Sequence, residues 1–280
     1  MWRGQRVSLV LPTYNERDSL HASVVDALDT GWVDEVVVVD NNARPGSAEE
    51  ARRAGARVVH EPVQGYGAAI RRGLREATGD MLAVSEPDGT FSAHDLGKLL
   101  AYSDDFDIVY GTRTTLQLIW GGANMGLFLR VGNMAVAKYA ELLYNTNQLT
   151  DVGCTMRLLR RSAYEDMAPH FSVDGSHFGV EMMALSFLRG HRVIQVPVNY
   201  RSRVGTSSVT GSRVNAVLVG VRMIALLTHH RVRGGRGRRP AARDVWSFDV
   251  AGKPARPSSP LGVAGPPPPP DGRDDLTATG

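Results

Sequence analysis

Residues 36–39 are four consecutive valines flanked by Glu35 and Asp40, and no other stretch constrains the fold of this 280-residue chain as much. Successive side chains of a strand point to opposite faces, so a run of β-branched residues needs an apolar cover on both. That is the condition of a buried parallel sheet. The neighbouring sequence supplies the covers. Residues 7–11, 57–59, 81–84 and 107–110 read as further short strands. Residues 17–28, 47–54 and 67–77 read as helices, and Ser92 as the cap of a helix reaching residue 102. Strands alternating with helices predict right-handed βαβ units: an α/β chain with a mostly parallel sheet and helices on both faces.

After Arg113 the rhythm loosens. Residues 124–143, 180–188 and 214–228 read as helices, 152–159 and 193–198 as strands, and 201–212 as a Gly/Ser/Arg loop. This second half, 114–230, is expected to complete the domain begun by residues 1–113 and to cover its site. Residues 231–280 hold nine of the 15 prolines and few apolar side chains, which predicts a disordered tail. The tail carries nine basic and five acidic residues, against 23 and 24 in the first 230. The net charge of +3 therefore belongs to the tail and gives no ground for a nucleic-acid partner. A single cysteine, Cys154, excludes a disulfide scaffold and a thiolate zinc cluster and fits a reducing compartment. No secretory leader pattern opens the chain, so a cytoplasmic location is expected.

Polar residues cluster just after the strands: Pro-Thr-Tyr-Asn-Glu at 12–16, Asp-Asn-Asn at 40–42, Glu-Pro-Asp at 86–88 and Gly-Thr-Arg at 111–113. Ligands of open α/β sheets bind beyond the carboxyl ends of the strands, so these loops predict one site. It is not a dinucleotide or nucleotide-triphosphatase site, because neither glycine-rich fingerprint is present. Glu86 and Asp88, at spacing two, can both reach one hard cation, Mg²⁺ or Mn²⁺, whose shell substrate phosphates complete. Local readings stand beside these. Asp88 suits an Asp-Gly turn, Asp40 a strand-ending Asx turn, and Glu16 the first turn of the next helix.

Several further pieces stand in order: Val-Leu-Pro-Thr-Tyr-Asn-Glu at 10–16, Val-Val-Val-Asp at 37–40, Gly-Tyr-Gly-Ala-Ala at 65–69 with Gly73, Glu-Pro-Asp-Gly at 86–89, Gly-Thr-Arg at 111–113, Asp-Val-Gly-Cys-Thr-Met-Arg at 151–157, and Val-Pro-Val-Asn-Tyr at 196–200 leading to Arg203-Val-Gly-Thr-Ser-Ser. With them the chain resembles family 2 glycosyltransferases of the GT-A fold over about residues 6–212. Within that family it is similar to the dolichol-phosphate (polyprenyl-phosphate) mannosyl- and glucosyltransferases. The resemblance implies inverting transfer of one hexose from a nucleotide diphosphate sugar, GDP-mannose or UDP-glucose, to a polyprenyl phosphate. It implies that Pro12, Tyr14, Glu16, Asp40, Gly67 and Asp88 face the nucleotide sugar. It implies Glu86 and Asp88 as ligands of Mg²⁺ or Mn²⁺, and Asp88 and Arg113 as catalytic. Glu86 stands where the family usually has Asp.

Arg113, Arg130, Arg201 and Arg203 are the candidates for the acceptor phosphate, because a guanidinium fork matches phosphate oxygens. Arg130 reads equally as part of a structural ion pair. A phosphate monoester, with a second pKa of about 6, is already ionised and needs no general base. A hydroxyl acceptor, on a glycan or small molecule, would need one, and Glu181 or Asp151 would have to serve. A non-catalytic module of the same fold is the third reading. Residues 214–228, followed by His229, His230 and a run of arginines, read either as a core helix or as a helix on an anionic membrane. The second reading predicts peripheral attachment at the inner face of the plasma membrane.

Overall fold

The computed structural model describes residues 1–123, 126–146, 149–205 and 213–234. The first half runs β1 (Val7–Thr13), α1 (Arg17–Asp29), β2 (Glu35–Asp40), α2 (Ser47–Arg53), β3 (Arg57–His60), α3 (Tyr66–Glu76), β4 (Met81–Val84), α4 (Leu96–Ala101) and β5 (Ile108–Thr112). The second half adds α5 (Leu127–Tyr144), β6 (Arg157–Arg160), α6 (Arg161–Met167), α7 (Phe178–Leu188), β7 (Val193–Pro197) and α8 (Arg213–Gly234). The seven strands lie in the order β3-β2-β1-β4-β6-β5-β7. Only β6 runs against its neighbours, antiparallel to both β4 and β5; the other pairs are parallel. The described residues all fall in one compact unit.

The valine run does what its chemistry requires. Val37 and Val39 enter an apolar layer with Ile70 and Leu74 of α3 and with Phe178 and Met182 of α7. Val36 and Val38 enter the opposite layer, with Leu20 and Val24 of α1 and Ala51 of α2. All four are at most 2% exposed, so β2 is covered on both faces. Helix α3 approaches the sheet closely at Gly73, where a Cβ would lie 2.2 Å from Val10 Cγ1.

Several local expectations are corrected. The strand expected over 152–159 is β6 alone, four residues long. Upstream of it, side chains take the backbone: Gln195 Oε1 accepts from the Thr150 N–H at 2.6 Å, and Asp151 Oδ1 from the Gly153 N–H at 2.9 Å. Helix α6 follows β6 without a loop and was not anticipated. Ser92 makes no capping bond; the Ala93 N–H is donated to Asp26 Oδ2 at 3.0 Å. Helix α8 is described as far as Gly234, because nothing between Thr228 and Arg233 breaks a helix. Arg231 and Arg233 thus belong to its last turn. The expected disordered tail, from residue 235 onward, lies outside the described residues, as do residues 206–212 of the expected Gly/Ser/Arg loop.

One half-buried carboxylate ties this half of the sheet together. Glu35, at the start of β2, accepts from Ser8 Oγ at 2.5 Å, from the Thr78 N–H at 2.9 Å and from Arg57 Nη2 at 2.7 Å. Burial pulls its pKa up, but these hydrogen bonds win and hold it at about 2, below the usual 4.5. A carboxylate depressed in the folded state stabilises above its unfolded pKa and loses that effect as pH falls toward its folded one. Because water reaches part of this carboxylate and screens its contacts, the contribution is on the order of 1–2 kcal/mol. Urea unfolding should therefore find Glu35→Gln less stable than the parent by about that much at pH 7. The gap should narrow steadily below pH 4.5. A gap that does not change between pH 7 and pH 3 would show that Glu35 is not held ionised by these contacts.

Candidate active site

The polar loops predicted from sequence do converge beyond the carboxyl ends of the strands. They line one cleft of about 680 Å³. Tyr14 and Glu16 come from the end of β1, Asn41 from β2, Glu86 and Asp88 from β4, and Arg113 from β5. Arg203 enters from the segment after β7, and residues of α5 and α8 complete the lining.

At the centre lies Asp88, 1% exposed. Its Oδ1 accepts from the Thr90 N–H at 2.9 Å and from Thr90 Oγ1 at 2.5 Å, so the local turn reading is realised too. Its Oδ2 is buried and takes no hydrogen bond of good geometry; Arg203 Nη2 lies 2.7 Å away. The same Nη2 lies 3.0 Å from Glu86 Oε2. Burial, and then the charge of Asp88, push the Glu86 pKa up to about 8 against the pull of Arg203. A cation already stands between the two carboxylates, and one carboxylate oxygen is left without a hydrogen bond. Both observations fit a site for a hard divalent ion.

Arg113 is held by a second buried carboxylate. Its Nε lies 2.8 Å from Asp151 Oδ2, its Nη2 3.0 Å from Oδ1, and its backbone N–H also reaches Oδ2, at 3.1 Å. The Asp151 side chain is fully buried and that of Arg113 11% exposed. Against burial, which favours the neutral forms, the fork keeps Asp151 below and Arg113 above its usual pKa. The guanidinium also stacks on Tyr200, 5.2 Å from the ring centre.

Seven of the sequence candidates line the cleft: Pro12, Tyr14, Glu16, Glu86, Asp88, Arg113 and Arg203. Glu16 also serves its own turn, accepting from the Tyr14 and Asn15 N–H groups at 2.7 and 2.9 Å. Four candidates do not line it. Asp40 Oδ1 accepts from the Ala43 N–H at 2.8 Å, the Asx turn that was its local reading. Gly67 is a packing glycine: a Cβ there would lie 2.5 Å from the Val173 carbonyl oxygen and 2.7 Å from Phe178 Cβ. Arg130 falls off the face of α5 that Phe128, Leu129, Gly132, Asn133 and Val136 turn to the cleft. Arg201 lies over the Trp120 ring, 4.9 Å from its centre, and borders a separate hollow behind the 86–91 loop.

Sequence reasoning passed over Arg157 and Tyr66 as site residues. Arg157 is buried under the cleft, with Nε donating to the Cys154 carbonyl at 3.0 Å and its guanidinium 4.9 Å from the Tyr110 ring centre. It stands inside the 151–157 motif, but a basic residue on a short strand carries no signal of its own. Tyr66 opens α3, and burial and the charge of Glu86 keep its phenol protonated. Glu181, weighed as a sugar contact or base, is wholly buried. Its oxygens accept from Ser172 Oγ at 2.6 Å and the Val173 N–H at 3.0 Å, and His230 of α8 pairs with it at 3.4 Å.

A family model, "Glycosyl transferase family 2", matches residues 8–168, more than half of the chain. The chain belongs to glycosyl transferase family 2. It is therefore a glycosyltransferase, and its sheet is the GT-A sheet that the motifs implied. A Mycobacterium tuberculosis protein described as an uncharacterized glycosyltransferase is 34% identical over 218 residues, 77% of this chain and 94% of that one. The dolichyl-phosphate hexose transferase of Haloferax volcanii is 26% identical over 230 residues, 81% of this chain and 96% of that one. Among solved structures, Mycobacterium tuberculosis glucosyl-3-phosphoglycerate synthase, in complex with Mn²⁺, UDP and phosphoglyceric acid, superposes with a TM-score of 0.62 at 19% identity. That match covers 86% of this chain and 81% of the other, and it speaks for the fold alone.

Proposed function

We propose that this glycosyltransferase moves one hexose from a nucleotide diphosphate sugar to a polyprenyl phosphate, with inversion, at a membrane surface. The observation that carries the reading is the mixed lining of the cleft. Its charged lining includes Glu86, Asp88, Arg113 and Arg203. Its apolar lining includes Phe128, Leu129 and Val136 of α5 and Val217, Val221 and Ile224 of α8. An acceptor with a charged head and an apolar chain matches both kinds of lining at once; a sugar or a small hydroxy acid matches only the first.

Glu86 and Asp88 would hold Mg²⁺ or Mn²⁺, which would neutralise charge developing on the leaving diphosphate. Among the described residues no three His, Cys, Asp or Glu side chains converge on one point, so phosphate oxygens and water would complete the shell. Pro12, Tyr14 and Glu16 lie where the nucleotide would be read, and Tyr14, 45% exposed, offers a ring face for stacking. Arg113, fixed in place by Asp151, presents its charge to the acceptor phosphate, which is ionised near neutral pH and attacks without a base. The two carboxylates that a hydroxyl acceptor would need as base are otherwise engaged: Asp151 with Arg113, and Glu181 with Ser172, Val173 and His230. This favours the phosphate acceptor over the hydroxyl one.

Membrane contact is argued from the same helices. Leu127, Phe128 and Val131 of α5 and Val217, Leu218 and Val221 of α8 are each at least half exposed. No helix among the described residues is long and apolar enough to cross a membrane, so these faces suit the surface of one. Cytoplasmic residence at the inner face of the plasma membrane is the matching location.

Transfer from UDP-glucose and GDP-mannose should be measured with three acceptors: polyprenyl phosphate in anionic liposomes, the same lipid in detergent, and 3-phosphoglycerate. Product is expected with the lipid in both forms and not with 3-phosphoglycerate. Leu127→Asp/Leu218→Asp, two exposed positions outside the cleft, should lose most of the liposome rate and keep the detergent rate. Transfer to 3-phosphoglycerate alone would overturn the acceptor reading, and an undiminished liposome rate in the double variant the membrane reading.

A further inference from the structure

The cation between Glu86 and Asp88 belongs to the protein itself. Arg203 Nη2 lies 3.0 Å from one carboxylate and 2.7 Å from the other, where an ion shared by the pair would have to sit. The segment that carries it is pinned to the acidic loop by backbone bonds: the Arg201 N–H donates to the Thr90 carbonyl and the Val204 N–H to the Asp88 carbonyl, both at 2.9 Å. Arg203 is thus delivered to the pair by the very loop it neutralises. Only its side chain has to move for the position to be freed.

We propose that Arg203 is an internal counter-ion that holds the two carboxylates while no divalent ion is bound, and that this makes metal and donor binding interdependent. The inference rests on the metal reading above. A divalent ion arriving alone has to displace a guanidinium from two carboxylates and leaves that charge close by with no partner. A donor diphosphate brings oxygens that match the guanidinium fork, so the displaced arginine is paired again. Metal alone then binds weakly, and metal with a nucleoside diphosphate binds well. By linkage, each strengthens the other by the same factor. The arrangement also keeps Asp88, buried with one oxygen unbonded, from standing as an uncompensated charge in the empty site.

The test is Mn²⁺ binding to the full chain without any sugar donor, read by the electron paramagnetic resonance signal of the free ion. The parent, Arg203→Gln and Asp88→Asn are compared, with circular dichroism to check that each is folded. An opposite charge at this range shifts a carboxylate's ion affinity by about ten- to a thousandfold. Arg203→Gln is therefore expected to bind Mn²⁺ alone at least about tenfold more tightly than the parent. In calorimetry with UDP and GDP, the gain in nucleotide affinity on adding Mn²⁺ should shrink in that variant. A merely structural arginine would give the opposite result, since losing it would loosen the site and weaken the metal. Equal or weaker Mn²⁺ binding in a folded Arg203→Gln overturns the proposal. If that outcome comes with lost Mn²⁺ binding in Asp88→Asn, the metal reading survives and only the counter-ion idea fails. Mn²⁺ binding unchanged in Asp88→Asn would remove the metal site and the proposal together.

Discussion

Asp88→Asn should lower hexose transfer by on the order of 10² to 10³ while the chain stays folded. The carboxylate is the most buried acid in the cleft and the only one of the pair that also orders its own loop, through Thr90. Asparagine keeps an acceptor for the Thr90 N–H, so the turn survives. What is lost is the negative charge that would fix a divalent ion against the leaving diphosphate. Glu86→Gln should cost less, because the Glu86 side chain is 20% exposed against 1% for Asp88, so water screens more of its charge. Initial rates with Mn²⁺ at saturation, for both variants, decide the matter. An Asp88→Asn enzyme within a factor of a few of the parent would mean that the electrostatic centre of the site lies elsewhere.

The second large effect is on stability. Asp151→Ala leaves the Arg113 guanidinium buried with no carboxylate, and removing one partner of a buried pair costs roughly 3–5 kcal/mol. For a domain of this size that is about 10 °C in Tm. Arg113→Met/Asp151→Leu, which removes both charges, should recover much of that loss, since an apolar replacement of a buried pair is often neutral or better. Transfer should not recover, because the cation facing the acceptor is gone. Thermal melts and rates on the same preparations separate the two roles. A melting point in Asp151→Ala within a degree or two of the parent would refute the stabilising role. Full transfer by the double variant would take Arg113 out of the acceptor site.

The amino-acid sequence by itself determined most of the sheet and the edge at which the candidate site gathers. Four valines in a row admit few answers but a strand covered on both faces, and the polar residues that end β1, β2, β4 and β5 can only gather at one edge of a parallel sheet. Local chemistry was legible as well: the turns of Asp40 and Asp88 follow from short-range hydrogen bonding, which is why their local readings were realised. What sequence could not decide were contacts between residues far apart in the chain. Arg203 meets Glu86 across 117 residues and Arg113 meets Asp151 across 38, and no periodicity encodes either pairing. For the same reason, of the four arginines offered for the acceptor phosphate, Arg113 and Arg203 line the cleft and Arg130 and Arg201 do not. Arg130 stands off the cleft face of α5, and Arg201 lies over the Trp120 ring.

Helix α8 shows the division most plainly. Its apolar sequence read either as a core helix or as a helix on a membrane surface, and the structure buries only part of its length. Toward its C-terminal end, Leu227 is fully buried, its carbonyl accepts from Tyr144 Oη at 2.8 Å, and His230 meets Glu181. Toward its N-terminal end, Val217, Leu218 and Val221 stand at least half exposed beside the cleft. Hydropathy sees an apolar side chain but not whether a neighbour covers it. That depends on how far α5 and α7 extend alongside, which only the tertiary structure decides.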